Sequence, residues 1–184
     1  PAIQLIGTSN QISTFGDDGL EQTRLWGPTF GELLLFNSLP NNATAVRLTA
    51  QGATGGQLDL NNTNGIVRAR LEGENVGGML TLFQADGNTG AILYGNEGAG
   101  SGALSLRNTN GSPRFRAFGG PAAGSLSMLD ADGTETVLAN AGGNGTVTLR
   151  QGDGSVGLNL MASNGTGGGG VTVFRDDGTF AGQL

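Results

Sequence analysis

Fifteen acidic side chains and nine arginines supply all the charge in this chain of 184 residues, and no Lys, His or Cys accompanies them. The missing types exclude much chemistry. Without Cys there is no disulfide and no thiolate metal site. Without His the commonest general base and the commonest metal ligand are gone. Without Lys there is no Schiff-base nucleophile. Carboxylate and guanidinium chemistry remains. Acids recur in pairs, Asp17-Asp18, Asp130 with Asp132, and Asp176-Asp177, which raises Ca²⁺ as a ligand. A Ca²⁺-binding β-roll, however, repeats its Gly-Gly-x-Gly-x-Asp motif about every nine residues. Here Asn replaces Asp at several equivalent places, and a turn role suits Asp and Asn equally. No metal and no cofactor are therefore expected. Paired carboxylates also serve glycoside hydrolysis, but acids spread over most turns need no catalytic explanation. The chain is read as no enzyme, with no catalytic residue.

Other candidates reduce to structure in the same way. The run Gly167 to Gly170 lacks the Gly-Lys-Ser/Thr ending and the helix of a phosphate loop. Arg24, Arg47, Arg70 and Arg116 share one phase of a repeating pattern. They are expected to form a ladder on the outside, paired with acids such as Glu21, Glu72 or Glu135. The net charge of −6 and the lack of a basic run argue against nucleic acid as a partner. Trp26 and Tyr94 fall one residue past an apolar pair, where packing at a repeat corner is the favoured role. Sequons begin at Asn42, Asn61, Asn110, Asn144 and Asn164; chance accounts for most of them in so Asn- and Thr-rich a chain.

The elements that carry these residues are repeated. Residues 124–142 read Gly-Ser-Leu-Ser-Met-Leu-Asp-Ala-Asp-Gly-Thr-Glu-Thr-Val-Leu-Ala-Asn-Ala-Gly: alternation, an Asp-Gly turn, alternation again, and a closing Gly. Gly19, Gly65, Gly87, Gly111, Gly133, Gly154 and Gly178 each follow Asp or Asn, and Asn42 fills the one gap. The successive intervals are then 23, 23, 22, 24, 22, 21 and 24 residues, the mark of a repeat architecture. Asp-Gly and Asn-Gly between alternating runs predict two-residue type I′ hairpins.

Apolar pairs lie seven and five residues ahead of the turn: Leu58/Leu60, Leu80/Leu82, Leu104/Leu106, Leu126/Met128, Val147/Leu149 and Val171/Val173. Others lie four and six residues after it, such as Val46/Leu48, Ala69/Leu71, Ala91/Leu93 and Val137/Ala139. Period-2 alternation means strands with one apolar face. The stretch Leu33-Leu34-Leu35-Phe36 with Pro40 predicts a shifted or bulged strand in the second repeat. Each repeat closes at a second Gly corner: Gly55-Gly56, Gly77-Gly78, Gly100 with Gly102, Gly119-Gly120, Gly142-Gly143, and Gly167 to Gly170.

The fold expected is all-β: a single array over residues 1–184 of about eight ~23-residue units, the first and last incomplete. A single hairpin cannot bury enough to offset its conformational entropy, so the units need neighbours. An intertwined homotrimer around a slim axis, with Ala69, Ala117 and Ala139 facing it, is preferred over a single-chain β-solenoid of one coil per repeat. Ile3 and Leu5 at one end and Leu184 at the other share the apolar phase. This predicts either a piece of a longer shaft or subunits that join end to end, each C-terminal strand continued by the next N-terminal strand. No signal-peptide pattern opens the chain at Pro1, which points to a processed chain or a piece of one. No apolar run approaches the ~20 residues of a membrane-spanning helix.

The pattern Leu-x-Leu-x-x-x-Asp-Gly, then alternation, then Gly-Gly resembles the shaft repeats of phage tail-fibre-like and bacterial trimeric fibre proteins. The resemblance implies an elongated trimeric shaft, extracellular or on a virion surface, whose partner is itself. A structural fibre or adhesin shaft is thus the function expected. The alternative is a solenoid that binds a cell-surface glycan, or ice, along one flat face. That reading ranks lower because Thr81, Thr148 and Thr172 are interrupted by Ser105 and Ser127. A lyase of the β-helix type ranks third, weakened by the missing Lys and His.

Overall fold

A computed structural model describes residues 2–7, 10–27, 31–37, 41–51, 55–74, 77–96, 101–143, 145–162 and 168–184. Pro1, Pro40, Gly100, Asn144, Asn164 and Gly167, named above, lie outside them. Among the described residues the fold is all-β, and every strand register is antiparallel. The chain divides into two compact units, Pro1–Thr89 and Gly90–Leu184.

The first unit is a meander of β1 (Ala2–Ile6), β2 (Gln11–Phe15), β3 (Glu21–Trp26), β4 (Glu32–Phe36), β5 (Thr44–Gln51), β6 (Gly55–Asn61), β7 (Val67–Glu74) and β8 (Gly77–Phe83). The second holds β9 (Thr89–Tyr94), all but its first residue, then β10 (Gly102–Arg107), β11 (Pro113–Gly119), β12 (Gly124–Leu129), β13 (Glu135–Asn140), β14 (Thr146–Arg150), β15 (Val156–Met161), β16 (Gly170–Phe174) and β17 (Phe180–Gln183). Within each unit, strands that follow one another in sequence lie side by side.

The turns differ from the two-residue type I′ form that the Asp-Gly and Asn-Gly pairs suggest. In all seven glycine turns the Gly N–H donates to the carbonyl three residues back, at 2.9–3.2 Å, and that earlier residue's N–H donates to the carbonyl just past the Gly, at 2.7–3.0 Å. This is a three-residue loop: a type I turn followed by one residue in the left-handed region. Only the Gly takes positive φ, from 77° to 89°. The Asp or Asn before it does not, because among described non-Gly residues only Asn10 and Asn42 have φ > 0. One left-handed residue costs less than two, and Gly takes that conformation freely. Asn42, at φ 43°, occupies the equivalent place in the second repeat.

A second irregularity recurs three residues past the turn. Leu60 faces Ala69 but Asn61 faces Val67, so Arg68 is an extra residue. Gln22, Ala45, Arg114, Thr136, Gly157 and Ala181 are the extra residues of the other hairpins. The side-chain period of a strand is two, so a one-residue slip exchanges its faces. Without the bulge, Leu60 would oppose Arg68. With it, apolar pairs meet apolar pairs. The second repeat keeps this register: Leu33 faces Leu25 and Leu48, and Leu35 faces Thr23 and Val46. Its shift lies in the connection from Phe36 to Thr44, which sets the apolar pair two residues further ahead of the turn residue.

At the second corner, backbones come close. A Cβ placed on Gly55, at φ 95°, would sit 2.0 Å from the Gly73 carbonyl oxygen, so no side chain fits there.

The open space around Gly133 separates conformational strain from crowding, because a Cβ there meets nothing within 4 Å. Gly133→Ala is expected to destabilise by about 1–2 kcal/mol through the left-handed backbone alone. Gly152, equally open but without positive φ, is expected to tolerate Ala with a gain of about 0.4–1 kcal/mol. Urea unfolding of the two variants checks both signs.

Candidate functional site

The acids of the turns are occupied in building them. The N–H just past each turn glycine is always capped by a side-chain oxygen. Asp18, Asp86, Asp153 and Asp177, immediately before the glycine, cap Leu20, Asn88, Ser155 and Thr179 at 2.9–3.0 Å. Where Asn62, Asn108 or Asp130 stands three residues before the glycine, it caps Ile66, Ser112 or Thr134 instead, at 2.9–3.0 Å. It also caps the N–H of Asn64, Asn110 or Asp132, at 2.9–3.1 Å. These are Asx turns, in which a short side chain replaces a backbone acceptor. Among the described residues no group of three or more Asp or Glu converges as a metal site would require.

The two faces of each unit carry different chemistry. One bears a continuous apolar ladder. In the first unit, Leu5, Ile12, Leu25, Leu33, Leu48, Leu58, Leu71 and Leu80 oppose one another in turn. In the second, the row is Leu93, Leu104, Ala117, Leu126, Ala139, Val147, Leu160 and Val171. This face is open to solvent: Leu25, Leu48, Leu71 and Leu93 are each about half exposed, at 48–51%.

The other face has a polar middle row, and it is the better covered. Ser13, Asp59, Thr81 and Ser127 are all buried, whereas only Ile92 and Ala103 are buried hydrophobics among the described residues. The arginine ladder lies in this row. Arg24 pairs with Glu21 and lies 5.4 Å over the Phe36 ring. Arg47 pairs with Glu32 at 2.6 Å, and Arg70 with Asp59 at 2.7 Å and Glu72 at 3.8 Å. Glu21 and Glu72 are thus the partners the sequence suggests; Asp59 and Glu32 are not, and Glu135 takes no such part. Asp59 sits between Leu58 and Leu60, and its register opposite Arg47 and Arg70 is the signal that reveals it. Arg116 faces Ser105 and Ser127 and has no acid beside it among the described residues.

Burial pushes Glu21 up, but hydrogen bonds from Arg24 and Ser13 and the Arg24 charge outweigh it and hold the carboxyl below its ordinary value. The hydrogen bond to Asp59 holds the Arg70 proton more firmly than usual, against the opposing effect of burial. Hydroxyl hydrogen bonds from Ser155 and Thr179 keep Asp153 and Asp177 low.

The remaining candidates take modest places. Trp26 is 40% exposed, opposite Gln11 and Glu32. Tyr94 is half-buried beside Ala103. Of the sequons, Asn61 donates to the Thr44 carbonyl, and Asn110 lies exposed in its turn. The hydroxyls of Thr81 and Ser127 are covered rather than displayed, so the row offers no uninterrupted flat ladder to a ligand.

No protein-family model matches the chain, and a search of curated proteins found no match.

Two predictions follow the electrostatics. Asp59→Ala strips the buried partner from Arg70 and is expected to cost about 1.5–3 kcal/mol, whereas Arg47→Gln, at a more exposed pair, is expected to cost about 1 kcal/mol or less; chemical denaturation compares them. The lowered acids of Asp153 and Asp177 stabilise the fold fully above the ordinary carboxylate range, and that contribution disappears as pH falls through their depressed folded values. The double variant Asp153→Asn/Asp177→Asn is therefore expected to lose less stability between neutral and acid pH than the parent, as read by unfolding midpoints across that range.

Proposed function

We propose that this chain is a structural β-repeat protein that assembles with itself, three copies packing their apolar faces around a common axis to form the shaft of an extracellular filament or tail or adhesion fibre. The carrying observation is the pair of apolar ladders, eight residues long in each unit and half exposed. Contiguous apolar surface on this scale marks an interaction site. The partner favoured is another copy, because a ladder of regular rungs is matched best by a ladder of the same spacing.

Further features support this reading. Ala117 and Ala139 interrupt the large residues, and with Leu126, Val147 and Leu160 they line a shallow apolar depression of about 690 Å³. A Leu or Val side chain from a second copy would fill it at the density interiors require. Meandering hairpins put both strands of a repeat on successive rungs, roughly 10 Å of sheet per repeat. That suits a hairpin stack in a shaft better than a solenoid, whose equivalent strands stack in parallel. The turn acids hold the turns and leave no catalytic group in place, so the reading is of a non-enzyme.

Sedimentation equilibrium tests the assembly. The parent chain is expected to run as a trimer or a multiple of it. Leu48→Glu/Leu71→Glu, which sets two charges on the face, is expected to run as a monomer with unchanged strand content by circular dichroism. Each half-exposed Leu buried in the interface accounts for about 1 kcal/mol per copy. A parent chain that stays a compact monomer at every concentration sinks the proposal.

A further inference from the structure

The geometry points to a binding pocket for an acidic sugar on the polar face of the second unit, where Arg116 and Ser105 would receive the carboxylate. Arg116 is directly opposite Ser105 in the β10–β11 register. The pocket they share holds about 190 Å³ and is lined also by Tyr94, Ala103, Arg107 and Phe118.

Two observations give the pocket its chemistry. First, Arg24, Arg47 and Arg70, in the same row phase, each have a carboxylate of their own chain within salt-bridge reach. Arg116 has none among the described residues, because its row neighbours are Ser105 and Ser127. Second, the Ser105 Oγ is fully shielded from solvent and makes no hydrogen bond. A buried hydroxyl without a partner carries a free-energy cost that a bound acceptor would remove. A planar fork of guanidinium donors beside a hydroxyl donor suits a carboxylate, which accepts two parallel bonds.

The rest of the lining selects what the carboxylate is attached to. Tyr94 and Phe118 bring aromatic rings to the pocket, and Phe118 is 37% exposed. Rings of this kind pack against apolar C–H faces, and the Tyr hydroxyl adds a polar tip. The volume falls below the ~300 Å³ at which pockets for drug-sized ligands begin, so one terminal uronic-acid ring is the occupant that fits, not a whole oligosaccharide. The pocket lies on the face opposite the apolar ladder. The inference therefore does not depend on self-assembly, and a second copy supplying an Asp or Glu side chain is the competing occupant.

NMR of the arginine Nε–Hε groups in the intact chain provides the test, with sodium glucuronate as the probe and acetate and glucose as comparisons at constant ionic strength. Glucuronate is expected to shift the Arg116 signal saturably, with acetate at least several-fold weaker and glucose without saturation. Ser105→Ala is expected to weaken glucuronate about tenfold or more. Arg116→Gln, checked for an unchanged amide spectrum, is expected to abolish the response; if that variant does not fold, Arg116→Lys, which keeps the charge but loses the fork, is expected to weaken glucuronate as well. No saturable shift in the parent chain overturns the assignment. So does equal affinity for acetate and glucuronate, which would leave the aromatic rings without a part. A third result also overturns it: no response to glucuronate, together with a loss of self-association in Arg116→Gln, would make the pocket a contact between copies.

Discussion

The structure depends on the strict two-residue period of a β-strand. Because faces alternate, an apolar ladder survives from hairpin to hairpin only if each connection contributes the right parity of residues. The three-residue turn alone gives the wrong parity for this sequence: it would set Leu60 against Arg68. The bulge three residues later adds the one residue that corrects it. Turn and bulge therefore act as one device. The left-handed glycine closes the loop, the Asx side chain satisfies the N–H beyond it, and the extra residue returns Leu to Leu. The ion pairs of the polar row rely on the same parity, since Asp59 meets Arg70 by the register that aligns Leu58 with Leu71.

This device leaves each unit one residue layer thick, with two faces and no interior. The covered row is the polar one, where short Ser and Asp side chains lie in reach of longer ones such as Gln11, Gln57 and Arg70. The aliphatic residues that would form a core in a globular domain are left half exposed. A sheet of this kind holds its local geometry through hydrogen bonds and ion pairs, and its largest unused source of free energy is the apolar area still in water.

Much of this was legible in the sequence because its determinants are local. Glycine at φ > 0 marks the turns one by one, Asn42 substitutes where Asn can, and alternation marks the strands and their apolar face. The bulge was not legible. Its extra residues, Gln22, Ala45, Arg68, Arg114, Thr136, Gly157 and Ala181, share no side-chain property, since the position needs only to exist. Antiparallel order was equally hidden, because a coil and a hairpin stack satisfy the same alternation. Both the Asp59–Arg70 pair and the Arg116 pocket are properties of register. Once the middle residues of facing strands are set opposite one another, Asp59 with Arg70 and Ser105 with Arg116 follow directly.

The turn cap has two interchangeable sources, the residue just before the glycine or the one three before it. A repeat can therefore lose one source and keep the same backbone if it holds the other, as Asn62 and Asp86 do in neighbouring turns. This redundancy frees the array to diversify. Rungs of identical geometry can drift apart in sequence, and with them the rows they display, without any change in architecture. Repeats that are alike in shape but distinct in sequence are also harder to mistake for one another, so the chain can thread each strand to its own neighbour while it folds.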